Sequence, residues 1–221
     1  MQFTTLFIDL DDTLYPGDNG LWLAIKTRIQ TYMHEQLGLP LEAVPALSRQ
    51  YFLEYGTTLR GLQANYHVNT EHYLAYVHDV PLDEYLAPNP ALGAILQSIP
   101  ARKWIFTNAD VHHARRVLRA LELGQHFEGI IDVLALTPYC KPMPQAFDIA
   151  QQRAAEPDPR RCVMIDDLPH TIRAARQQGF CGLFYTCPGG HAAAQHPDAD
   201  ATFTDWALLP ALLNGREHAP R

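Results

Sequence analysis

The stretch Phe3-Thr4-Thr5-Leu6-Phe7-Ile8-Asp9-Leu10-Asp11-Asp12-Thr13-Leu14-Tyr15 decides how this chain is read. An apolar run too short for a buried helix delivers three acids and a hydroxyl within five residues. A buried strand does this when a functional site lies at its C-terminal end. Asp-Asp-Thr would equally suit an N-cap cluster opening a helix, and the local sequence does not separate the two readings. The texture further along the chain does.

Beyond Pro90, apolar runs alternate with helical patterns. Strands are expected at Lys103–Phe106, Gly129–Val133, Cys162–Ile165, Cys181–Tyr185 and Ala201–Phe203, with helices at Ala91–Ser98, Asp110–Leu121, Pro144–Ala155, His170–Gln178 and Thr204–Leu213. Such alternation builds a parallel sheet, which Phe3–Ile8 joins as its first strand. Pro16-Gly17-Asp18-Asn19-Gly20 is turn chemistry beside the first acids. From about Leu21 to Tyr85 the pattern is helical only: Leu21–Leu37 closed by Gly38, Leu41–Tyr55 stopped by Gly56, then Thr58–Tyr66 and Thr70–Val80. Its aromatics Trp22, Tyr32, Tyr51, Phe52, Tyr55, Tyr66, Tyr73 and Tyr76 are expected in a core rather than on a stacking surface. The predicted fold class is therefore α/β, a doubly wound parallel sheet built from residues 1–16 and 88–221, with an α-helical unit, 17–87, inserted into it. The end, Asn214–Arg221, reads as frayed.

A chain of 221 residues can bury one sizeable core or a core plus a smaller insert, and a hydrophobic fraction of 47% marks it as folded. The net charge of -7 argues against a nucleic-acid partner held by a broad basic surface. It is compatible with an anionic substrate, because a metal ion reverses the sign locally. Cys140, Cys162, Cys181 and Cys187 show neither CxxC nor Cys/His spacing, so no zinc site or disulfide framework is indicated, and reduced thiols in a cytoplasmic protein are expected. The first apolar run is broken by Asp9 and lacks a basic flank, unlike a signal peptide. No stretch approaches the roughly 20 apolar residues of a membrane span. The histidines, His112-His113 included, lack metal-ligand spacing.

Three strands end in polar residues suited to phosphate chemistry: Asp9-Leu10-Asp11-Asp12-Thr13, then Thr107-Asn108, then Asp166-Asp167. Tyr139-Cys140-Lys141-Pro142 places a lysine on a loop just before a helix. In a doubly wound sheet the ligand site lies outside the carboxyl ends of the strands, where these residues would converge.

In this order and spacing, Asp9-x-Asp11-x-Thr13, Thr107-Asn108, Lys141-Pro142 and Asp166-Asp167 resemble the haloacid dehalogenase-like hydrolase superfamily over nearly the whole chain. Finer likeness is to the pyrimidine 5'-nucleotidase-like branch with a helical cap. It is carried by Phe7–Pro16, by Tyr55-Gly56-Thr57-Thr58-Leu59-Arg60-Gly61-Leu62, and by Phe106-Thr107-Asn108-Ala109-Asp110 followed by His113–Leu118. One departure stands out: family members often read Asp-Asp-Ser-x-x-Asn where this chain reads Asp166-Asp167-Leu168-Pro169-His170-Thr171, which removes two residues that support the metal.

The residues argue for the same chemistry. Carboxylates gathered in one site repel by about 4 kcal/mol per pair at about 4 Å and an effective dielectric near 20, so a cation must sit among them. An all-oxygen site with few protein ligands suits Mg²⁺. The expected ligands are Asp9 and Asp166 through their carboxylates, Asp11 through its main-chain carbonyl, and Asp167 through water. Asp9 is expected as the nucleophile, forming an aspartyl-phosphate, and Asp11 as general acid and then base, its pKa raised by neighbouring acids. Thr107, with Asn108 beside it, would bond phosphate oxygens, and Lys141 would supply a fixed cation. Arg60 suits substrate contact and cap packing equally, and Asp110 suits a helix cap. The expected activity is Mg²⁺-dependent phosphomonoester hydrolysis of a small phosphorylated metabolite, with a nucleoside 5'-monophosphate implied by the resemblance alone. A phosphosugar mutase shares the same acids. Dehalogenation needs neither metal nor Asp11, and a phospho-ligand sensor would follow if Leu168 and Thr171 had cost the chain its turnover.

Overall fold

The computed structural model describes residues 3–187 and 195–215. Its centre is β1 (Thr5–Ile8), four residues buried throughout. β1 pairs in parallel with β2 (Arg102–Phe106) on one side and β4 (Cys162–Asp166) on the other, Thr5 lying opposite both Arg102 and Cys162. β3 (Gly129–Ile131), β5 (Cys181–Tyr185) and β6 (Ala201–Phe203) complete an all-parallel sheet in the order β3-β2-β1-β4-β5-β6. The chain winds outward from β1 through β2 to β3 and then returns to build β4 on β1's free side. That reversal opens a crevice at the carboxyl ends of β1, β2 and β4, the three strands whose ends carry the acids, the threonine and the asparagine.

Alternation along the strands divides the core in two. Leu6, Ile8, Ile105, Val163, Ile165 and Leu183 pack on one face, in a cluster that includes residues of α5 (Pro90–Ser98), α6 (Val111–Ala120) and α9 (Leu209–Gly215). Phe7, Phe106 and Met164 pack on the other, under α7 (Pro144–Arg153) and α8 (Pro169–Gln177). There Phe7 stacks on Phe180 at 5.6 Å, and Phe147 meets Phe106 edge-on at 5.4 Å. Helices thus cover both faces, as continuous apolar strands require.

Between β1 and α5 lie α1 (Leu21–Glu35), α2 (Val44–Tyr55), α3 (Thr58–Asn65), α4 (Thr70–Val77) and a 3-10 turn, Leu82–Glu84. Tyr32 of α1 meets Tyr73 and Tyr76 of α4 at 5.0 and 5.4 Å. Gly61 lets α3 close on α2: a Cβ there would stand 2.3 Å from the Tyr51 side chain. Trp22, expected in the core, is 40% exposed. The buried face of α1 is Leu21, Ile25, Ile29, Tyr32 and Met33, and one residue past Leu21 turns about 100° away from it. Tyr32, Tyr51 and Tyr73 are buried, whereas Phe52, Tyr55, Tyr66 and Tyr76 are half-buried.

Two element ends differ from the pattern for identifiable reasons. β3 stops at Ile131 because Asp132 turns the chain, its carboxylate accepting from the N–H groups of Val111 (3.0 Å) and Ala135 (2.9 Å). The expected helix over Thr204–Leu213 is a 3-10 turn, Trp206–Leu208, followed by α9 from Leu209. Pro210 has no N–H and its ring excludes the carbonyl four residues back, so an α-helix cannot run through it from Thr204. α9 extends through Asn214 and Gly215, and the rest of the end expected to fray, 216–221, lies outside the described residues. Among the described residues, no helix is long and apolar enough to cross a membrane.

Candidate active site

The end of β1 is pinned by its own ladder, the Asp9 N–H donating to the Ile165 carbonyl at 2.9 Å, which points Asp9 into the crevice beside β4. There Asp9, Asp166 and Asp167 bring one carboxylate oxygen each within 4.8 Å of the others. Lys141 enters between two of them, its Nζ 2.8 Å from Asp9 Oδ1 and 2.7 Å from Asp166 Oδ2, all three residues buried. Asp166 Oδ1 is held by the Leu168 N–H at 2.8 Å.

Three carboxylates share one ammonium, and the acidities follow from that imbalance. Burial pulls the Lys141 ammonium down, but Asp166 and Asp9 overcome it and hold Lys141 protonated well above the ordinary lysine range. Burial pushes Asp9 up to about 7, with Lys141 opposing and Asp166 adding to the rise. Asp167, raised by burial and then by Asp166 and Asp9, reaches about 9. Asp12 sits next to them with φ 57°, and burial and Asp11 raise it to about 6; its Oδ1 is buried without a partner. Such a cluster is short of positive charge, and its donors are all oxygen. These residues therefore suit a divalent oxygen-seeking ion such as Mg²⁺.

The residues of β2's end act on Lys141. Both amide atoms of Asn108 grip the lysine's main chain: Nδ2 donates to the Lys141 carbonyl at 3.0 Å and Oδ1 accepts from its N–H at 2.9 Å. Its side chain, expected on a phosphate, instead fixes the loop that carries the cation. The buried Thr107 hydroxyl accepts from the Ala109 N–H at 3.0 Å, so its own O–H remains available as a donor. The loop is clamped from the helical segment too. Arg60 donates to the carbonyls of Val133 (2.8 Å) and Tyr139 (2.7 Å), and Cys140 Sγ donates to the Tyr55 carbonyl at 3.2 Å. Of the two roles open to Arg60, the structure shows the packing one.

Asp11 departs from expectation. Its carboxylate is held by two ring partners rather than by the other acids, Oδ1 accepting from Tyr15 Oη at 2.6 Å and lying 2.9 Å from His113 Nε2. Burial raises its pKa, but the interaction and bond with His113 and the Tyr15 bond outweigh it, so the Asp11 pKa is lowered rather than raised by its surroundings. Behind it, His78 stacks on His113 with ring centres 4.3 Å apart, and Asp110 caps α6 through Oδ1 while its Oδ2 meets His78 Nδ1 at 2.6 Å. The sequence offered His113 no role beyond its place in the family-like segment, and its contact with Asp11 was not expected. A signal existed: His113 falls with Ala114, Val117 and Leu118 on the buried face of α6.

The departure at Leu168 and Thr171 is partly made good within β1's own loop, where the Thr13 hydroxyl reaches Asp167 Oδ1 at 3.4 Å. Thr171 is buried and its N–H closes the first turn of α8 on the Leu168 carbonyl at 3.0 Å.

Residues 3–179 match the haloacid dehalogenase-like hydrolase family. The chain belongs to that family. Among known proteins, the chain is 27% identical over 187 residues to Phosphate metabolism protein 8 of Saccharomyces cerevisiae, a match that takes in 78% of this chain and spans 58% of the length of that relative. Among solved structures, it superposes on a predicted phosphoglycolate phosphatase from Haemophilus somnus with a TM-score of 0.64 at 18% identity, covering 96% of this chain and 99% of the other. The HAD-hydrolase YfnB of Bacillus subtilis, solved with magnesium bound, superposes with a TM-score of 0.61 at 18% identity over 97% of this chain and all of the other. At such identities the two structures share the fold. Membership of the hydrolase family accounts for four separated segments arriving at one crevice.

Proposed function

We propose that this hydrolase is a Mg²⁺-dependent phosphomonoesterase acting on a small phosphorylated metabolite, with a nucleoside 5'-monophosphate as the favoured class, through an aspartyl-phosphate on Asp9. The observation that carries the reading is the buried group of Asp9, Lys141, Asp166 and Asp167, with Asp11 two residues from Asp9 on the same loop. The names of the yeast relative and of the predicted phosphoglycolate phosphatase accord with phosphate chemistry. The nucleotide preference rests on the likeness of Tyr55–Leu62 and Phe106–Leu118 to the nucleotidase branch.

In this reading, Asp9 and Asp166 would hold the metal through their carboxylates, Asp11 through its main-chain carbonyl, and Asp167 through water. The Asp11 carboxylate, bonded through Oδ1 to Tyr15 and His113, is kept for proton transfer, so its contribution to the metal would be the main chain. The bound ion supplies positive charge to the phosphate oxygens. Lys141 adds a second cation, held in place by Asn108 and aimed where charge gathers on the transferring group. Thr107 donates its hydroxyl proton to a phosphate oxygen. Asp9 attacks phosphorus while the bond to the leaving oxygen breaks, and Asp11 gives that oxygen a proton. Asp11, now ionised, takes a proton from the water that attacks phosphorus and releases Asp9. Its lowered pKa favours the ionised form that the second step uses, so the proton given in the first step is held against that preference. Residues 17–87 serve as the cap that shapes the leaving-group side.

A panel of nucleoside monophosphates, sugar phosphates and an aryl phosphate, assayed with and without Mg²⁺, tests this. Metal-dependent release of inorganic phosphate is expected, fastest on a nucleotide. Conversion of a sugar phosphate to its positional isomer without phosphate release would establish a mutase instead, and binding without turnover a sensor.

A further inference from the structure

Asp11 is the group the proposed chemistry asks most of, since it must hold a proton in one step and take one in the next. Its two protein bonds converge on the same atom. Tyr15 Oη donates to Oδ1 at 2.6 Å, and His113 Nε2 stands 2.9 Å from that same Oδ1. Among the bonds of the described residues, Oδ2 carries none. His113 Nδ1 is buried without a partner, so Nε2 is the ring atom that donates, and it meets a carboxylate. The His113 ring cannot swing freely, because it is buried on α6 and stacked at 4.3 Å and 19° on His78. His78 lies just after α4, in the helical segment. Asp110 holds it at 2.6 Å, and Arg116 bonds its carbonyl at 2.7 Å and that of Val80 at 2.6 Å.

We propose that His113, together with Tyr15, is the positioning residue for Asp11: the two fix the carboxylate by Oδ1 so that Oδ2 alone is presented for proton transfer, and His78 sets the His113 ring from the helical segment. The seat of that segment on α6 then governs the reaction's proton donor. This rests on the phosphomonoesterase reading, since it assigns a support to that reading's acid. His113 and Tyr15 themselves transfer no proton to substrate.

A positioning role has a signature that a structural role lacks, because kcat/KM reports the steps up to release of the leaving group, where a misplaced acid matters only when that group needs protonation. A shift of about 1 Å can cost about 10²-fold in rate. His113→Phe keeps the ring and its stack but deletes the Nε2 bond. It should lower kcat/KM on an alkyl ester such as a nucleoside 5'-monophosphate by about 10- to 10²-fold, and on p-nitrophenyl phosphate by under about threefold. His113→Gln, which restores an N–H donor, should recover part of the alkyl activity. His78→Ala, which removes the stacked ring without touching Asp11, should show the same selectivity. Tyr15→Phe deletes one oxygen and tests the other bond to Oδ1, so the proposal stays testable if His113→Phe does not fold. Equal losses on aryl and alkyl esters, or full alkyl activity in both His113→Phe and Tyr15→Phe, would overturn it. A wild-type protein inactive on every ester overturns the phosphomonoesterase reading itself and with it this one, whereas an active wild type with unselective variants overturns only this one.

Discussion

Replacing Lys141 with methionine keeps most of the side-chain volume and removes the one ammonium among three carboxylates. Asp9 and Asp166, now 2.8 and 2.7 Å from that Nζ, would face each other and Asp167 with no counter-charge. Breaking a buried pair by removing one partner costs about 3–5 kcal/mol. In a domain of this size each kcal/mol moves the melting temperature by about 2–4 °C, so a fall of roughly 6–20 °C is expected at pH 8 with metal chelated. The sign with pH follows from the carboxylates. Asp9 at about 7 and Asp167 at about 9 have folded-state values raised above those of the unfolded chain, mainly by burial. Such groups favour the fold while protonated, and that advantage is lost as pH rises from about 4 toward the folded values. Without Lys141 the values rise further, so the melting deficit of the variant should widen as pH rises above about 7, where Asp9 ionises in the wild type and stays protonated in the variant. Turnover should fall by at least about 10²–10³-fold, from the lost cation and from a nucleophile protonated at neutral pH. Differential scanning fluorimetry across pH, with kcat measured on an aryl phosphate, reads both. A melting deficit independent of pH, or turnover within about threefold of wild type, would refute the assignment of Lys141 as the counter-ion of the site.

Mg²⁺ should raise the melting temperature more at pH 8.5 than at pH 6, because the ion competes with protons on Asp9 and Asp167, and Asp167→Asn should flatten that dependence; calorimetric titration at the two pH values checks it. Asn108→Ala should lower kcat with little change in KM, and should destabilise the fold by about 1–3 kcal/mol, since it leaves the Lys141 N–H and carbonyl without their partners. Gly56→Ala places a Cβ 2.9 Å from both Cys140 Sγ and the Lys141 carbonyl at a φ of +84°, so it should cost about 1–3 kcal/mol in urea denaturation and reduce kcat by shifting the lysine loop.

Most of the fold was legible because its signals are local. Every expected strand is present, since Thr5–Ile8, Ile105–Phe106, Cys162–Ile165 and Cys181–Tyr185 are apolar runs too short for helices and are set off by polar turns. The four helices of the insert could be read from Gly38 and Gly56 and from their apolar periodicity. What escaped was long-range. The proximity of Asp11 to His113 spans 102 positions and that of His78 to Asp110 spans 32, and no spacing rule relates them. The expected rise in the pKa of Asp11 came from counting nearby carboxylates, but an imidazole and a phenol bonded to one oxygen outweigh burial. Likewise Asn108 could be placed at a strand end, whereas its grip on the Lys141 main chain depends on where a loop 33 residues later returns. Trp22 was misjudged because composition marks an aromatic as apolar without saying which side of the helix it occupies.

Asp9 is the covalent nucleophile of the proposed reaction. Rapid acid quenching of the protein during turnover of an aryl phosphate, followed by peptide mass spectrometry, tests this directly, and Asp11→Asn should make the species accumulate by slowing its hydrolysis. The peptide containing Asp9 is predicted to carry one added phosphoryl group, located on Asp9, that is absent from Asp9→Asn. An active protein whose quenched peptides never carry a phosphoryl group, even in Asp11→Asn, would contradict it.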